Sequence, residues 1–150
     1  EGAAAPRRAL RSMAPVARAR QTIQLAVVGA HLEGQPLHRE LLELGARLES
    51  RTRSASQYQL FALPGTVPAK PGLVRVSSGG SAIEVEVYRL DAAAFGHFVA
   101  GVAAPLGIGN VELENGQWVK GFVCESVATE GATDISHFGG WRAYLASSQS

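Results

Sequence analysis

The run Ile23-Gln24-Leu25-Ala26-Val27-Val28 is apolar except at Gln24, rich in β-branched residues, and stops at Gly29. A run that short is far from the ~18 apolar residues of a membrane span. Its β-branched content predicts a buried strand. Gly29 to Gln35 then reads as a loop, and Pro36 suits the first position of a helix. Leu37, Leu41 and Leu44 recur at spacings of four and three, giving one apolar stripe with Leu42 beside it. Gly45 is placed to end that helix as its C′ residue, so the helix is predicted over residues 36–44. The loop between strand and helix brings backbone N–H groups and one side chain, His31, to a sheet end beside a helix N-terminus, where anions are favoured.

Further along, residues 47–53 and 58–63 read as strands. LPGTVPAKPG, with three prolines and two glycines, must be loop. A strand resumes at Leu73, Val74 and Val76. Ile83, Val85 and Val87 alternate with Glu84, Glu86 and Tyr88, which predicts a strand with one apolar and one acidic face. Asp91 is a good N-cap for a helix over residues 92–99. PLGIGN reads as an irregular connection. Val111–Leu113 and Trp118–Cys124 flank Glu114-Asn115-Gly116-Gln117, and Asn-Gly between two strand-like runs is a strong hairpin signal. Asp134 is placed to cap a last short helix before Gly139-Gly140. There is no internal repeat. Sequential hairpins with a few short helices predict an α+β domain, a small mostly antiparallel sheet or barrel.

Charge is uneven. Residues 1–20 hold five arginines and one acid, for +4; the rest holds nine basic and twelve acidic residues, for −3. Pro6 and Pro15 interrupt any helix there, and the large apolar residues are isolated, so residues 1–20 are expected to be a disordered basic linker. Residues 147–150 are expected to be a tail, leaving one domain over residues 21–146. An arm without aromatics has nothing to stack on a base, and the mildly acidic remainder argues against a nucleic-acid partner. No membrane anchor or secretory signal is recognisable. A first residue of Glu1 reads as a fragment or processed piece. Cys124 is the single cysteine; it excludes an internal disulfide framework and fits a reducing cytoplasm.

Among the candidate side chains, His31 can accept or donate a proton near neutral pH; the blander reading is that it only satisfies a carbonyl of its turn. Lys70 offers a cation for a carboxylate. Tyr58, at a strand start, is within reach of the loop but is as readily packing with its hydroxyl at the rim. Glu84 and Glu86 fit a solvated sheet face better than an acid/base pair inside a barrel. Trp118, Phe122, Phe138 and Trp141 read as core. His97 and His137 have no second ligand at metal-like spacing, so neither metal nor other cofactor is expected. Cys124 reads as a buried apolar residue rather than a nucleophile.

Several ordered segments, AVVGAHLEGQPLHREL (26–41), PAKPGLVRV (68–76) and DISHFGGWR (134–142) among them, resemble the C-terminal accessory domain of allophanate hydrolases over nearly all of residues 23–145. That resemblance implies a γ-glutamyl cyclotransferase-like fold, in which the loop after the first strand cradles the ligand. It implies that Gly29, Ala30, Leu32 and Gln35, with Tyr58 and Lys70, contact a small anionic carboxylate, and that His31 does the chemistry. It further implies a cytoplasmic enzyme of urea-type nitrogen metabolism. There an amidase-signature domain of the same or a partner chain makes N-carboxycarbamate, and this domain binds or decarboxylates it within a homo-oligomer. The alternative is a non-catalytic domain that organises the amidase subunits. The Gly/Ser-rich amidase signature is not in these residues. The cyclotransferases' acidic residue after the helix following the central strand is also missing, since no acid occurs between Asp91 and Glu112. Cyclotransferase activity is therefore not expected.

Overall fold

The computed structural model describes residues 21–148. The expected linker, residues 1–20, lies outside them.

The Ile23–Val28 run forms β1 (Thr22–Val27), the middle strand of a five-stranded sheet. On one side β1 pairs antiparallel with β5 (Glu84–Asp91), Leu25 facing Tyr88 and Val27 facing Glu86. On the other it pairs parallel with β7 (Trp118–Cys124). β2 (Arg47–Arg53) and β6 (Leu106–Glu112) close the order β2-β5-β1-β7-β6. A smaller sheet, β4-β3-β8, is made by β3 (Tyr58–Ala62), β4 (Pro71–Arg75) and β8 (Thr133–Asp134). The architecture is α+β and antiparallel except at β1–β7, and among the described residues the two sheets do not close into a barrel.

Helix α1 (His38–Glu43) follows the loop, α2 (Ala92–Ala100) follows β5, and α3 (Trp141–Ser148) ends the described chain. α1 begins two residues later than predicted and ends where Gly45 allows. Gly45 has φ 77°, and the N–H groups of Gly45 and Ala46 donate to the carbonyls of Leu42 and Leu41 at 3.0 Å. That double return satisfies carbonyls a helix end would otherwise leave unpaired. α3 runs past the expected boundary at residue 146.

The core lies between the sheets and under the helices. Leu25, Val27, Leu60, Ile83, Val85 and Ile135 are fully buried there, each contributing about 1.5–3 kcal/mol of transfer free energy. β5 is buried on both faces from Val85 to Tyr88, so its alternation does not mark a solvated side. PLGIGN is not irregular: it opens β6, which pairs with β7 from Leu106 to Glu112. Asp134 lies in β8 rather than at a helix start. Its carboxylate accepts from the Ser136 N–H at 2.9 Å and from the Ser136 hydroxyl, which holds the short 3-10 turn Ser136–Phe138. Asp91 stands at the N-cap position of α2 without a side-chain capping bond.

Candidate functional site

β1 ends at the mouth of a cavity of about 550 Å³ between the loop, α1, α2 and the start of β4. Gly29, Ala30 and His31 form one wall, Glu40 and Glu43 of α1 with the flanking Leu37 and Leu44 another. Lys70 and Pro71, His97 and Phe98, and Phe122 complete it. Gly29 packs so closely on β4 that a Cβ there would lie 2.3 Å from Pro71 Cδ. The glycine is thus set by the approach of β4.

His31 is only 8% exposed, so it sits in the wall and not at the rim. Its ring stacks on Phe122 (centroids 5.2 Å apart, 16° between planes) and meets the edge of Phe98 at 5.1 Å. Nε2 lies 2.8 Å from Glu40 Oε1. A carboxylate only accepts, so this bond places the ring proton on Nε2 and leaves Nδ1 as the second nitrogen. Burial lowers the imidazole's pKa from its ordinary 6.5. The Glu40 hydrogen bond and charge pull it upward, and Lys70 and His38 push it down. The ring is therefore oriented by Glu40 and biased by its burial toward the neutral form. Lys70 forms no ion pair among the described residues and faces the same cavity.

The structure thus brings Gly29, Ala30, His31 and Lys70 together. It does not bring Leu32, Gln35 or Tyr58 to them. Leu32 is fully buried in the core because the turn drives it inward, its N–H donating to the Gly29 carbonyl at 3.0 Å. The turn uses Gln35 outside the cavity wall, bonded through its N–H to the Leu32 carbonyl. Tyr58 is fully buried, its phenol oxygen accepting from the Glu112 N–H at 2.9 Å. Glu86, read from the sequence as solvated, is also fully buried; Glu84 is partly exposed. Sequence reasoning missed Glu40 and Glu43 as site residues and took Phe122 for core alone. A signal was present: Leu37, Glu40 and Leu44 recur at three and four, a second helix face, and that face lines the cavity while Leu41 alone is buried beneath. Among the described residues no cluster of three His, Cys, Asp or Glu side chains is placed to hold a metal.

The two sheets and the cavity at the end of the central strand make a fold like that of the γ-glutamyl cyclotransferases. A solved γ-glutamyl cyclotransferase matches it at 11% identity over 76% of this chain and 70% of its own, with TM-score 0.51, a likeness of fold alone. The chain belongs to the allophanate hydrolase C-terminal domain family, whose model matches residues 23–146. Urea amidolyase of Saccharomyces cerevisiae is 51% identical over 128 residues, 83% of this chain and 7% of the longer protein. Kluyveromyces lactis allophanate hydrolase gives TM-score 0.80 at 48% identity, over 83% of this chain and 21% of that one. A uropathogenic E. coli-specific protein gives TM-score 0.78 at 31% identity, over 84% of this chain and 97% of its own. The chain therefore spans a small part of the enzymes it matches and nearly all of the bacterial protein. Among the described residues no helix is long and apolar enough to cross a membrane.

Proposed function

We propose that the cavity binds N-carboxycarbamate and promotes its loss of carbon dioxide. The observation that carries this reading is the His31–Glu40 pair, 2.8 Å apart, in the same cavity wall as Lys70. The dianion carries two carboxylates on one nitrogen. Lys70 holds one by charge, and binding the dianion beside His31 favours the imidazolium. Heterolysis of the other C–N bond leaves its electron pair on nitrogen. That nitrogen takes a proton from Nδ1 of the imidazolium, giving carbamate and carbon dioxide. The ring returns to the neutral Nε2–H form that Glu40 stabilises. Carbamate then decomposes to ammonia and a second carbon dioxide.

On this reading the domain serves an amidase-signature domain that supplies the dianion, in the same or a partner chain. The setting is a cytoplasmic, homo-oligomeric enzyme of urea-type nitrogen metabolism. Support comes from family membership and from the length of the relatives, of which this domain is a small share.

The test is carbon dioxide release from freshly generated N-carboxycarbamate, with the domain and with buffer alone. Release well above background, reduced on the order of 10²-fold in His31→Ala, is the expected result. A wild-type domain that never exceeds background removes the enzyme reading and leaves the assembly role.

A further inference from the structure

The most buried charge in the described molecule is not in the cavity. Glu86, in the middle of β5, has no solvent exposure. Burying a carboxylate costs several kcal/mol unless donors replace its water, and four do. The Glu33 N–H donates to Oε1 at 2.8 Å and the Tyr88 hydroxyl to the same oxygen at 3.0 Å. Arg142 of α3 donates to Oε2 at 2.8 Å and Arg51 of β2 at 3.4 Å. Burial and Glu86 raise the Tyr88 pKa, and Glu86 holds that of Arg142 up against its own burial.

Two of the contacts around Glu86 fall within the stretch between His31 and Glu40: Glu33 bonds Glu86 itself, and His38 bonds its partner Tyr88. Glu33 is two residues after His31. It is tied again at its carbonyl, which accepts from Arg142 at 2.7 Å, and at its carboxylate, which pairs with Arg51. His38 is two residues before Glu40. Tyr88 spends its proton on Glu86, so the bond at 3.0 Å is one in which His38 Nε2–H donates to the Tyr88 oxygen. Between these ties the loop is braced by the Leu37 N–H donating to the Ala30 carbonyl at 2.9 Å. The span from His31 to Glu40 is thus tied to one buried carboxylate at Glu33 directly and at His38 through the Tyr88 hydroxyl.

We propose that Glu86 is a positioning residue of this site: it grips the loop at Glu33 and, through Tyr88, the helix start at His38, and so sets His31 against Glu40. Arg142 makes α3 part of the same grip, which couples the C-terminal helix to the cavity although Arg142 does not line it. The inference rests on His31–Glu40 as the site's working pair. Its test reads the ring directly and needs no turnover.

In the full chain, long-range ¹H–¹⁵N spectra follow the four histidines through a pH titration, with His31 assigned from a His31→Gln sample. The wild type is expected to show His31 as a single Nε2–H tautomer. Glu86→Gln is expected to give a mixed tautomer and a pKa moved toward 6.5, as the ring leaves its buried seat. Tyr88→Phe, which removes one hydroxyl and leaves Glu86 its other donors, is expected to move both in the same direction by less. Arg142→Ala is expected to follow Glu86→Gln, and Arg142→Lys to recover part of the shift. The other charges facing His31 (Glu40, Lys70 and His38) are present in all of these variants. A folded Glu86→Gln protein with an unchanged His31 tautomer and titration overturns the proposal. If that variant does not fold, an unchanged His31 in Tyr88→Phe overturns it equally. Where decarboxylation is measurable, kcat is expected to fall up to about 10²-fold with little change in KM, the signature of a misplaced group. A wild type without turnover would refute the proposed function while leaving the spectra to decide on Glu86.

Discussion

The Tyr58 hydroxyl oxygen lies 2.9 Å from the Glu112 nitrogen and accepts its N–H, so a side chain of the small sheet closes a backbone bond at the end of β6 in the large one. A tyrosine with that duty is a strut between sheets. Tyr58→Phe removes the acceptor and keeps the ring, so it is expected to cost about 1 kcal/mol of stability. It should leave ligand binding and the His31 titration unchanged. Denaturant melts beside binding measurements check this; lost binding with unchanged stability would return Tyr58 to the site.

His31 gives stability a definite pH dependence. Its folded pKa is below the ordinary 6.5 because the ring is buried. Below 6.5 the unfolded chain therefore takes up a proton that the folded chain resists. Stability is expected to fall as pH drops from about 6.5 through the folded pKa, and to level off below it. Replacing His31 with Gln removes this contribution, so the stability difference between the two proteins should narrow on acidification. A difference that stays constant from pH 7.5 to 5 contradicts the buried neutral ring.

Glu40 acts on the same titration with the opposite sign. Its bond and charge raise the His31 pKa against burial. Glu40→Gln keeps an acceptor and removes the charge, so the His31 pKa is expected to drop further below 6.5. If the imidazolium is the proton donor, the pH at which activity is lost on the alkaline side should move down with it. An NMR titration and a pH–rate profile of the variant provide the check, and a His31 pKa that rises would show that Glu40 is not the ring's partner.

His31→Ala tests packing as well as chemistry. A histidine on an open loop would contribute little, but this ring is 8% exposed, stacked on Phe122 and edged by Phe98. The expected loss is about 1–3 kcal/mol rather than a negligible one. His31→Phe should recover most of the stability and none of the carbon dioxide release, which separates the two roles in thermal melts and turnover.

Local pattern made much of this fold legible. β1, the start of α2, the hairpin at Asn115-Gly116 and the role of Gly45 each follow from a few neighbouring residues, and each formed where those residues place it. Of the site, His31 and Lys70 follow from the loop and its family pattern. What the pattern hides is pairing at a distance. Glu86 reads as solvated because alternation reports two faces but cannot say that both are covered. Its donors at Glu33, Arg51 and Arg142 are separated from it by 53, 35 and 56 positions. Glu40 shares a helix face with Leu37 and Leu44 that the spacing marks, but the spacing does not say that this face meets His31. Pro105–Asn110 reads as irregular because its glycines and proline mask a strand that β7 recruits.

Gly29 offers the sharpest test of how the cavity is built. Its φ is not in the left-handed region, so an alanine would meet no backbone penalty. The penalty is spatial: a Cβ would stand 2.3 Å from Pro71 Cδ and 2.6 Å from Pro71 Cγ. Those atoms belong to a rigid ring in a buried strand position, not to the free end of a side chain, so β4 must move. Gly29→Ala is expected to cost about 1–3 kcal/mol, the usual range for overpacking. Because Lys70 and Pro71 share the cavity wall with Gly29, the movement should also shift Lys70 relative to His31 and weaken anion binding. Gly34 is the control five residues on. It has φ 87° and open space around its missing Cβ, so Gly34→Ala should cost about 1 kcal/mol through backbone strain alone. It lies outside the wall and should leave binding intact. Melting curves and carboxylate titrations of the two variants distinguish them. A Gly29→Ala protein with wild-type stability and affinity would mean that β4 can step back freely and that its approach does not shape the site.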